Sequence, residues 1–314
     1  MDLTSGIQTF VRVVEHGSLT RAARALGVTP SGVGKTLTRL EGELGLRLLT
    51  RTTRHVAMTE DGELFFEQCR KVLDELENAR SMITSRRAAA RGRLRVTIAS
   101  TLGKLYLVPA LVDFVAKHPD VKPDLLLTDR FVNIVEEGID VAIRIGGLPD
   151  SSFAARRIGT QQIVTVAPPT LARRRRIATP ADAIALPAVL FRRPSSGTPR
   201  PWTFAERGHV LTLHPEPRMS IDDGEALVAA VRAGLGVAQV PSYMAEVALA
   251  AGEVVEVLSA FRPPSEPIFA VHPARRNQPL RTLAFIEFLA TRPIEPAVLG
   301  GPSKSQAPPR RRSR

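Results

Sequence analysis

Cysteine is nearly absent. Cys69 is the only one in 314 residues, which excludes an intrachain disulfide and any zinc site built on several thiolates. Long apolar runs are missing as well. None approaches the ~18 residues that a membrane helix needs, and no basic segment followed by an apolar stretch opens the chain. Neither a membrane span nor a secretory signal is expected, and the expected location is the cytoplasm. Acidic residues are in deficit: Asp and Glu total 31 against 43 Lys and Arg, a net charge of +12. That balance favours an anionic partner, nucleic acid first.

Catalytic and metal signatures are lacking too. The six histidines are scattered. His209 and His214 are five apart, which puts them on opposite faces of a strand and argues against a metal pair. "AGLGVA" contains a G-x-G, but it follows a helical pattern and precedes a strand, the reverse of a dinucleotide fingerprint. No G-x-S-x-G elbow occurs, and "PSSGTP" lacks its spacing and context. No metal or cofactor is expected, and no enzymatic activity.

What is present begins with helical periodicity. Ile7, Phe10, Val11 and Val14 form the i, i+3, i+4, i+7 stripe of an amphipathic helix, which Gly17 breaks. Ser18 is a good N-cap for "LTRAARAL", with Leu19, Ala22, Ala23 and Leu26 inward and Gly27 as its C′ residue. Thr29 then caps a third helix with Pro30 at N1, where a missing N–H costs nothing. Its inward residues are Val33, Leu37, Leu40 and Leu44, and Gly45 ends it. Two helices joined by the short "GVT" turn, behind a supporting helix, make a helix-turn-helix. The outer face of the third helix is polar and basic, with Lys35, Thr36 and Arg39, although Gly32 and Gly34 weaken its start by roughly 1 kcal/mol each relative to Ala. "LRLLTRTTRHVAMTEDG" follows as a wing hairpin whose basic tip carries Arg51, Thr52, Thr53 and Arg54. A basic helix fits the major groove, and wing arginines suit the neighbouring backbone or minor groove. An ordinary solvated helix face is the competing explanation of the same residues.

From Thr59 the pattern changes. Phe65, Cys69, Val72, Leu76, Ala79 and Ile83 alternate by four and three, a coiled-coil seam that most simply pairs with a second copy of the chain. Cys69 on that seam reads as a buried, inert thiol. "SRRAAARG" is a hinge. After Gly92 strands and helices alternate: strand "RLRVTIAS", helix "LYLVPALVDFVAKHP" with Leu107, Val108, Leu111, Val112 and Val115 inward, strand "DLLLTD", short helix "RFVNIVEEG" and strand "DVAIRIG". That order predicts a parallel sheet. A similar half follows: strand "QIVTVAP", an irregular Pro-rich region, helix "GEALVAAVRAGL", then strands "GVAQVP" and "VVEVL". Strand "PIFAVHP" and helix "PLRTLAFIEFLATR" return to the first half. Two α/β lobes joined by crossing segments place a ligand cleft between them.

Strand ends supply the cleft candidates. Ser100 and Thr101 end the first strand and open a helix, so their hydroxyls and the free N–H groups suit a small carboxylate, or simply cap the helix. Thr128 and Asp129 end the next strand. Arg144 could meet an anionic ligand, or pair with Glu136, Glu137 or Asp140. Asp222 and Asp223 repeat the layout in the second half and could equally cap the helix that follows.

With these residues on the page, "GSLTRAARALGVTPSGVGKTLTRLEGELGLRLLTRTTRHVAMTEDG" closely resembles the winged helix-turn-helix of the LysR-type transcriptional regulators. "DRFVNIVEEGIDVAIRIGGLPDSSFAARRIG" and "DDGEALVAAVRAGLGVAQVPSYM" are similar to that family's effector-binding domain. The resemblance implies an α/β protein with an N-terminal all-α winged helix-turn-helix, a long dimerisation helix and a two-subdomain effector-binding domain like periplasmic solute-binding proteins. It implies a winged domain at 1–58, a dimerisation helix and hinge at 59–91, and an effector-binding domain at 92–293. Subdomain I would comprise about 92–161 and 268–293, subdomain II about 162–267, and 294–314 a disordered basic tail. Ser18, Thr20, Arg21, Thr29, Ser31, Lys35, Thr36 and Arg39 would face DNA, with Arg51, Thr52, Thr53 and Arg54 on the wing. Ser100, Thr101, Thr128, Arg144 and Asp222 would line the effector cleft. The implied partners are double-stranded promoter DNA, a small, often anionic effector, further copies of the chain as dimer or tetramer, and RNA polymerase, with no membrane. The family usually has Ala where Gly32 stands and Ser where Gly34 stands. Two other functions compete: a two-lobed solute-binding protein or enzyme with a basic N-terminal extension, and a nonspecific nucleoid binder.

Overall fold

The computed structural model describes residues 3–51, 56–84, 90–147, 153–274 and 278–295, with side chains described except at 51, 74 and 77–84. The chain divides after Gly92 into two compact units.

The first unit holds α1 (Leu3–His16), α2 (Leu19–Leu26), α3 (Pro30–Leu44), a hairpin of β1 (Leu49–Arg51) and β2 (Val56–Met58), and α4 (Glu60–Thr84). Local chemistry sets the helix ends. The Ser18 hydroxyl accepts the Arg21 N–H at the start of α2, and the Thr29 hydroxyl accepts the Gly32 N–H at the start of α3. Gly27 and Gly45, both at φ 67°, close the two helices in the left-handed region that glycine tolerates. The Glu41 carboxylate of α3 accepts the N–H groups of Leu48 at 2.9 Å and Leu49 at 3.1 Å, anchoring the first strand of the wing.

Burial then joins these elements. Phe10, Val13, Leu37 and Leu40 are fully buried, with Val33 and Leu48 beside them. Leu44, expected inward, is 37% exposed at the last turn of α3. The fourth wall comes from α4. Phe66 and Cys69 are buried in this core, and the Phe10 ring lies 5.6 Å from that of Phe65 and 6.2 Å from that of Phe66. The first two seam positions, Phe65 and Cys69, thus serve the intrachain core rather than a second copy. Folding against α1 satisfies the same four–three spacing that pairing would. Val72 and Leu76 stay 48% and 47% exposed, and the side chains of Ala79 and Ile83 lie outside the described residues. Burial pushes the Cys69 thiol up from 9.0 to about 11.

The start of α4 requires a glycine. The Thr59 hydroxyl accepts the Gly62 N–H at 3.0 Å and donates to the Arg47 carbonyl at 2.6 Å. This draws the first turn so close that a Cβ on Gly62 would sit 2.0 Å from the Leu48 carbonyl oxygen.

The second unit opens with β3 (Gly92–Ile98) and a helix in three parts: α5 (Ser100–Leu102), a π turn (Gly103–Leu107) and α6 (Val108–Lys117). The π turn falls directly before Pro109, where a regular helix would force the ring against a preceding carbonyl. The turn also shifts the buried face. Leu107, Leu111 and Phe114 are buried, whereas Val108, Val112 and Val115, expected inward, are exposed. Next come β4 (Val121–Leu127), β5 (Val141–Ile145) and β6 (Phe153–Gln161). Residues 130–138, expected as a short helix, form a bend and turns instead. The Asn133 side chain takes the N–H groups of Val135 and Glu136, and Gly138 ends the segment at φ 62°. So short a β-branched stretch cannot offset helix nucleation.

The smaller lobe contains β7 (Ile163–Ala167), α7 (Pro169–Arg174), α8 (Pro180–Ile184), β8 (Ala188–Phe191), β9 (Trp202–Glu206), β10 (His209–Leu213), β11 (Pro217–Ile221), α9 (Gly224–Arg232), β12 (Ala238–Pro241), α10 (Ser242–Ala250) and β13 (Val255–Val257). The chain returns through β14 (Glu266–Pro273) and α11 (Leu280–Thr291). The larger sheet has the order β4-β3-β5-β14-β6. It is mixed, not parallel: β3 and β5 are parallel, but β14 runs antiparallel to both β5 and β6 because it re-enters from the other lobe. In the smaller lobe β12 and β13 flank β7 antiparallel, and β8 pairs β11 in parallel. The Pro-rich region expected to be irregular holds β8 and the β9–β10 hairpin; Pro187, Pro194, Pro199 and Pro201 lie between the strands rather than in them. Ile294 bridges Gly159, where a Cβ would meet the Ile294 carbonyl at 2.0 Å. The folded chain therefore extends into the segment assigned to the tail, whose residues 296–314 lie outside those described.

Gly62→Ala is expected to destabilise the N-terminal unit by about 1–3 kcal/mol, the scale of overpacking, read as a lowered urea midpoint of that unit. The Cys69 thiol ionises near 9.0 in the unfolded chain and near 11 when folded. Its contribution to stability is therefore complete below about pH 9 and is lost as pH rises towards 11. The wild type should lose urea resistance across that window more steeply than Cys69→Ala, and thiol reagents at pH 8 should label Cys69 only as the unit unfolds. Immediate labelling would show that α4 is not packed on α1.

Candidate nucleic-acid face and effector cleft

On the first unit, α3 presents two unlike faces. Val33, Leu37 and Leu40 are buried while Ser31, Lys35, Thr38 and Arg39 are exposed. Arg39 pairs with Glu43 one turn on, at 3.3 Å, with both side chains well exposed. Thr36 is half-buried beside this face. Thr20 and Arg21 are exposed on α2. Ser18 and Thr29 are occupied as caps, and Thr29 also lies 3.2 Å from the Ser31 hydroxyl. The side chain of Arg51 and all of Thr52, Thr53 and Arg54 lie outside the described residues. The two glycines differ in kind. A Cβ on Gly32 would approach the capping Thr29 Oγ1 to 3.2 Å, whereas a Cβ on Gly34 meets nothing within 4 Å.

In the second unit the lobes face each other across a cleft closed at one side by the crossing segments. Gln161, ending β6, donates to the Glu266 carboxylate at 2.6 Å, and Arg200 of the smaller lobe pairs with the same carboxylate at 2.6 Å. Gln162 donates to the Pro263 carbonyl at 2.8 Å and accepts from the Ser265 hydroxyl at 2.9 Å. Across the opening, Lys104 pairs with Glu225 at 2.8 Å, and the rings of Tyr106 and Tyr243 meet edge to face at 6.1 Å. The hydrogen bond and charge of Glu225 raise the Lys104 ammonium pKa. Burial raises that of the Tyr243 hydroxyl.

Two cavities lie between the lobes. One, of about 380 Å³, is lined by Asp129 and Ile145 on one side and Phe191, Arg200, Gln239 and Tyr243 on the other. The second, of about 440 Å³, brings Ser100, Thr128 and Arg130 opposite Arg192, Arg193 and Asp222. Asp129 borders both. Burial raises its carboxyl pKa, and the Ser100 backbone N–H oppose that shift. The helix start that suits an external carboxylate thus already has an internal one beside it.

The five cleft residues expected from sequence are placed unequally. Ser100, Thr128 and Asp222 share the second cavity. Asp222 is engaged by Arg192 at 2.7 Å, while its neighbour Asp223 caps α9. The Thr128 hydroxyl accepts the Arg130 N–H. Thr101 is buried and its hydroxyl reaches Glu225 at 3.4 Å; it lines neither cavity. Arg144 faces a different cavity, within the larger lobe, together with Thr128. It donates to the Val132 carbonyl at 2.6 Å rather than to Glu136, Glu137 or Asp140. The residues that sequence reasoning missed are Arg193, Arg200, Gln161, Gln239, Tyr243 and Glu266. Only their meeting in space marks them; no spacing does. Among the described residues no group of three His, Cys, Asp or Glu side chains is arranged to hold a metal, and no helix is long and apolar enough to cross a membrane.

Comparison with known proteins agrees across the chain. Residues 5–63 match the family described as "Bacterial regulatory helix-turn-helix protein, lysR family", and residues 87–293 match the "LysR substrate binding domain". The HTH-type transcriptional regulator PtxR of Pseudomonas aeruginosa is 34% identical over 284 residues, 90% of each chain. An HTH-type transcriptional regulator of Haemophilus influenzae is 30% identical over 282 residues, covering 90% of this chain and 97% of its own. Among solved structures, the full-length Vibrio cholerae virulence activator AphB aligns with a TM-score of 0.58 at 27% identity, over 93% of this chain and 99% of its own. CrgA of Neisseria meningitidis aligns at 0.57 and 26% identity, over 91% and 97%.

Gly34→Ser places a hydroxyl in open space and removes a glycine from the helix. It should stabilise the N-terminal unit by roughly 0.5 kcal/mol on helix propensity alone, measured by thermal unfolding. DNA affinity should rise with sequence preference unchanged; weaker binding would show that the bare backbone at Gly34 is what meets DNA.

Proposed function

The chain belongs to the LysR family of bacterial transcriptional regulators, and on that premise we propose that it binds promoter DNA through α3 under control of a small anionic effector held between the lobes. That it is a transcriptional regulator with an effector-binding domain follows from the family, whose members bind DNA and small-molecule effectors and oligomerise and are not enzymes. The finer assignments are ours.

The two-faced character of α3 carries the DNA reading. Lys35, Arg39 and Ser31 project from a helix held by Val33, Leu37 and Leu40, with Thr20 and Arg21 on the adjoining helix and the wing beside it. Lys35 and Arg39 serve phosphates or guanine edges, Ser31, Thr36 and Thr20 phosphates, and Ser18 and Thr29 act by fixing the helix starts. Arg51 and Arg54 extend the contact to the neighbouring backbone. The exposed Val72 and Leu76 continue, through Ala79 and Ile83, as the seam to a second copy, which matches a partly palindromic site. The protein works in the cytoplasm, as access to DNA requires, and acts on RNA polymerase at the promoter.

An anionic effector is supported by the charges left over in the cleft. Asp222 and Glu266 are neutralised by Arg192 and Arg200. Among the described residues, Arg130 and Arg193 have no carboxylate at ion-pair distance. Set against Asp129, they leave the cavity between Ser100 and Asp222 with an excess of positive charge.

Binding of the full-length protein to the DNA flanking its own gene, followed by fluorescence anisotropy across salt concentrations, tests the assignment. Lys35→Ala with Arg39→Ala should weaken binding and flatten the dependence of log K on log salt by about 1.8, the counterion release of two phosphate contacts. An unchanged slope would remove α3 from the interface.

A further inference from the structure

Beside the cleft, the larger lobe encloses a third cavity, of about 660 Å³, large enough for a small organic molecule. Its walls come from that lobe alone: the end of β3, the turns after β4, β5, the start of β6 and β14. Val132, Ile134, Ile143, Phe153 and Val271 make them apolar. Asp129 lies at the margin shared with the cleft.

Of the two arginines that line this cavity, Arg130 is exposed and also lines the cleft cavity, whereas Arg144 is the cation set against the apolar walls. It is half-buried, and its guanidinium has five N–H donors but one hydrogen bond, to the Val132 carbonyl at 2.6 Å. No carboxylate among the described residues lies at ion-pair distance. Burial lowers its pKa, and the more distant Glu137 does not restore it. A guanidinium taken partly out of water without a counter-charge is costly. Phe131 offsets some of that cost: its ring stacks on the guanidinium at 4.6 Å, yet the residue is itself 74% exposed. An exposed aromatic ring lying over an unpaired guanidinium at the edge of an apolar cavity is the surface a hydrophobic acid would complete.

We propose that this cavity is a second ligand site, for a small hydrophobic monocarboxylate, with Arg144 binding the carboxylate and Phe131 covering it. Two parallel N–H donors match a carboxylate edge, and the hydrocarbon body replaces water against Val132, Ile134 and Phe153. A second carboxylate on that body would lie against these apolar side chains without a partner, which favours a monocarboxylate. The proposal rests on the reading of this unit as effector-binding, but not on the occupant of the cleft between the lobes.

Calorimetric titration of the full-length protein with benzoate, hexanoate and uncharged benzamide tests it. Benzoate or hexanoate should bind saturably and benzamide far more weakly. Arg144→Ala should weaken benzoate by about tenfold to a hundredfold, the scale of a lost charge-assisted bond, with Arg144→Lys intermediate. Phe131→Ala, at an exposed position that the fold tolerates, should weaken benzoate several-fold with an unchanged unfolding temperature. Arg193→Ala, in the cleft, should leave benzoate binding as in the wild type. The proposal fails if the wild type binds neither acid, or if binding survives both Arg144→Ala and Phe131→Ala. Loss on Arg193→Ala alone would put the acid in the cleft, overturning this site while sustaining the proposed anionic effector.

Discussion

One carboxylate holds the second unit in its two-lobed form. Glu266 begins β14, where the chain re-enters the larger sheet, and takes Gln161 from the outgoing crossing and Arg200 from the smaller lobe, each at 2.6 Å. Its side chain is about one-third exposed. Short, partly desolvated, charge-assisted bonds of this kind are stronger than exposed ion pairs, which contribute about 0–1 kcal/mol. With Gln162 tying Pro263 and Ser265, the two crossings run bonded side by side. The Lys104–Glu225 pair across the opening is different in kind: both side chains are more than half exposed. The closed edge is fixed and the open edge is easily parted, which is the mechanical requirement for a cleft that admits a ligand.

The same neutralisation decides what such a ligand meets. Cleft positions that look available in the sequence are largely used by the protein itself. Asp222 is held by Arg192, Thr101 is engaged by Glu225, and the N–H of Ser100 acts on Asp129. What remains open is Arg193 in one cavity, Arg144 in another, and Arg130, which lines both. An anion entering either place breaks no existing ion pair, so its attraction is not spent on displacing an internal partner.

How much of this was legible in sequence depended on range. The caps Ser18, Thr29, Gly27 and Gly45 act within four residues, and their helices begin and end where those residues predict. The family resemblance rested on the same short-range grammar. Burial of a given face was less legible, because it depends on distant elements. Val112 has the right spacing for a core yet is 70% exposed, since the π turn before Pro109 rotates the helix after it. Cys69 shows the converse: its heptad position was real, but α1 of the same chain fills it. Glu266 and Arg200, 66 residues apart, left no trace in any local pattern, nor did the antiparallel return of β14 that makes the sheet mixed.

The two glycines of α3 can now be weighed separately. At Gly32 a Cβ would press on the Thr29 hydroxyl at 3.2 Å. An N-cap contributes about 1 kcal/mol, comparable with the roughly 1 kcal/mol that glycine costs in a helix, so Gly32 is close to neutral. Gly34 has no such compensation. Its cost is covered instead by Val33, Leu37 and Leu40, each worth about 1.5–3 kcal/mol on full burial. The inner face therefore holds the helix, and the outer face contributes little to stability. The Arg39–Glu43 pair fits that division: it is exposed and has the acid C-terminal to the base, the less favourable order. An outer face held from behind can exchange its weak internal contacts for phosphates without loosening the unit that carries it, as the proposed DNA contact requires.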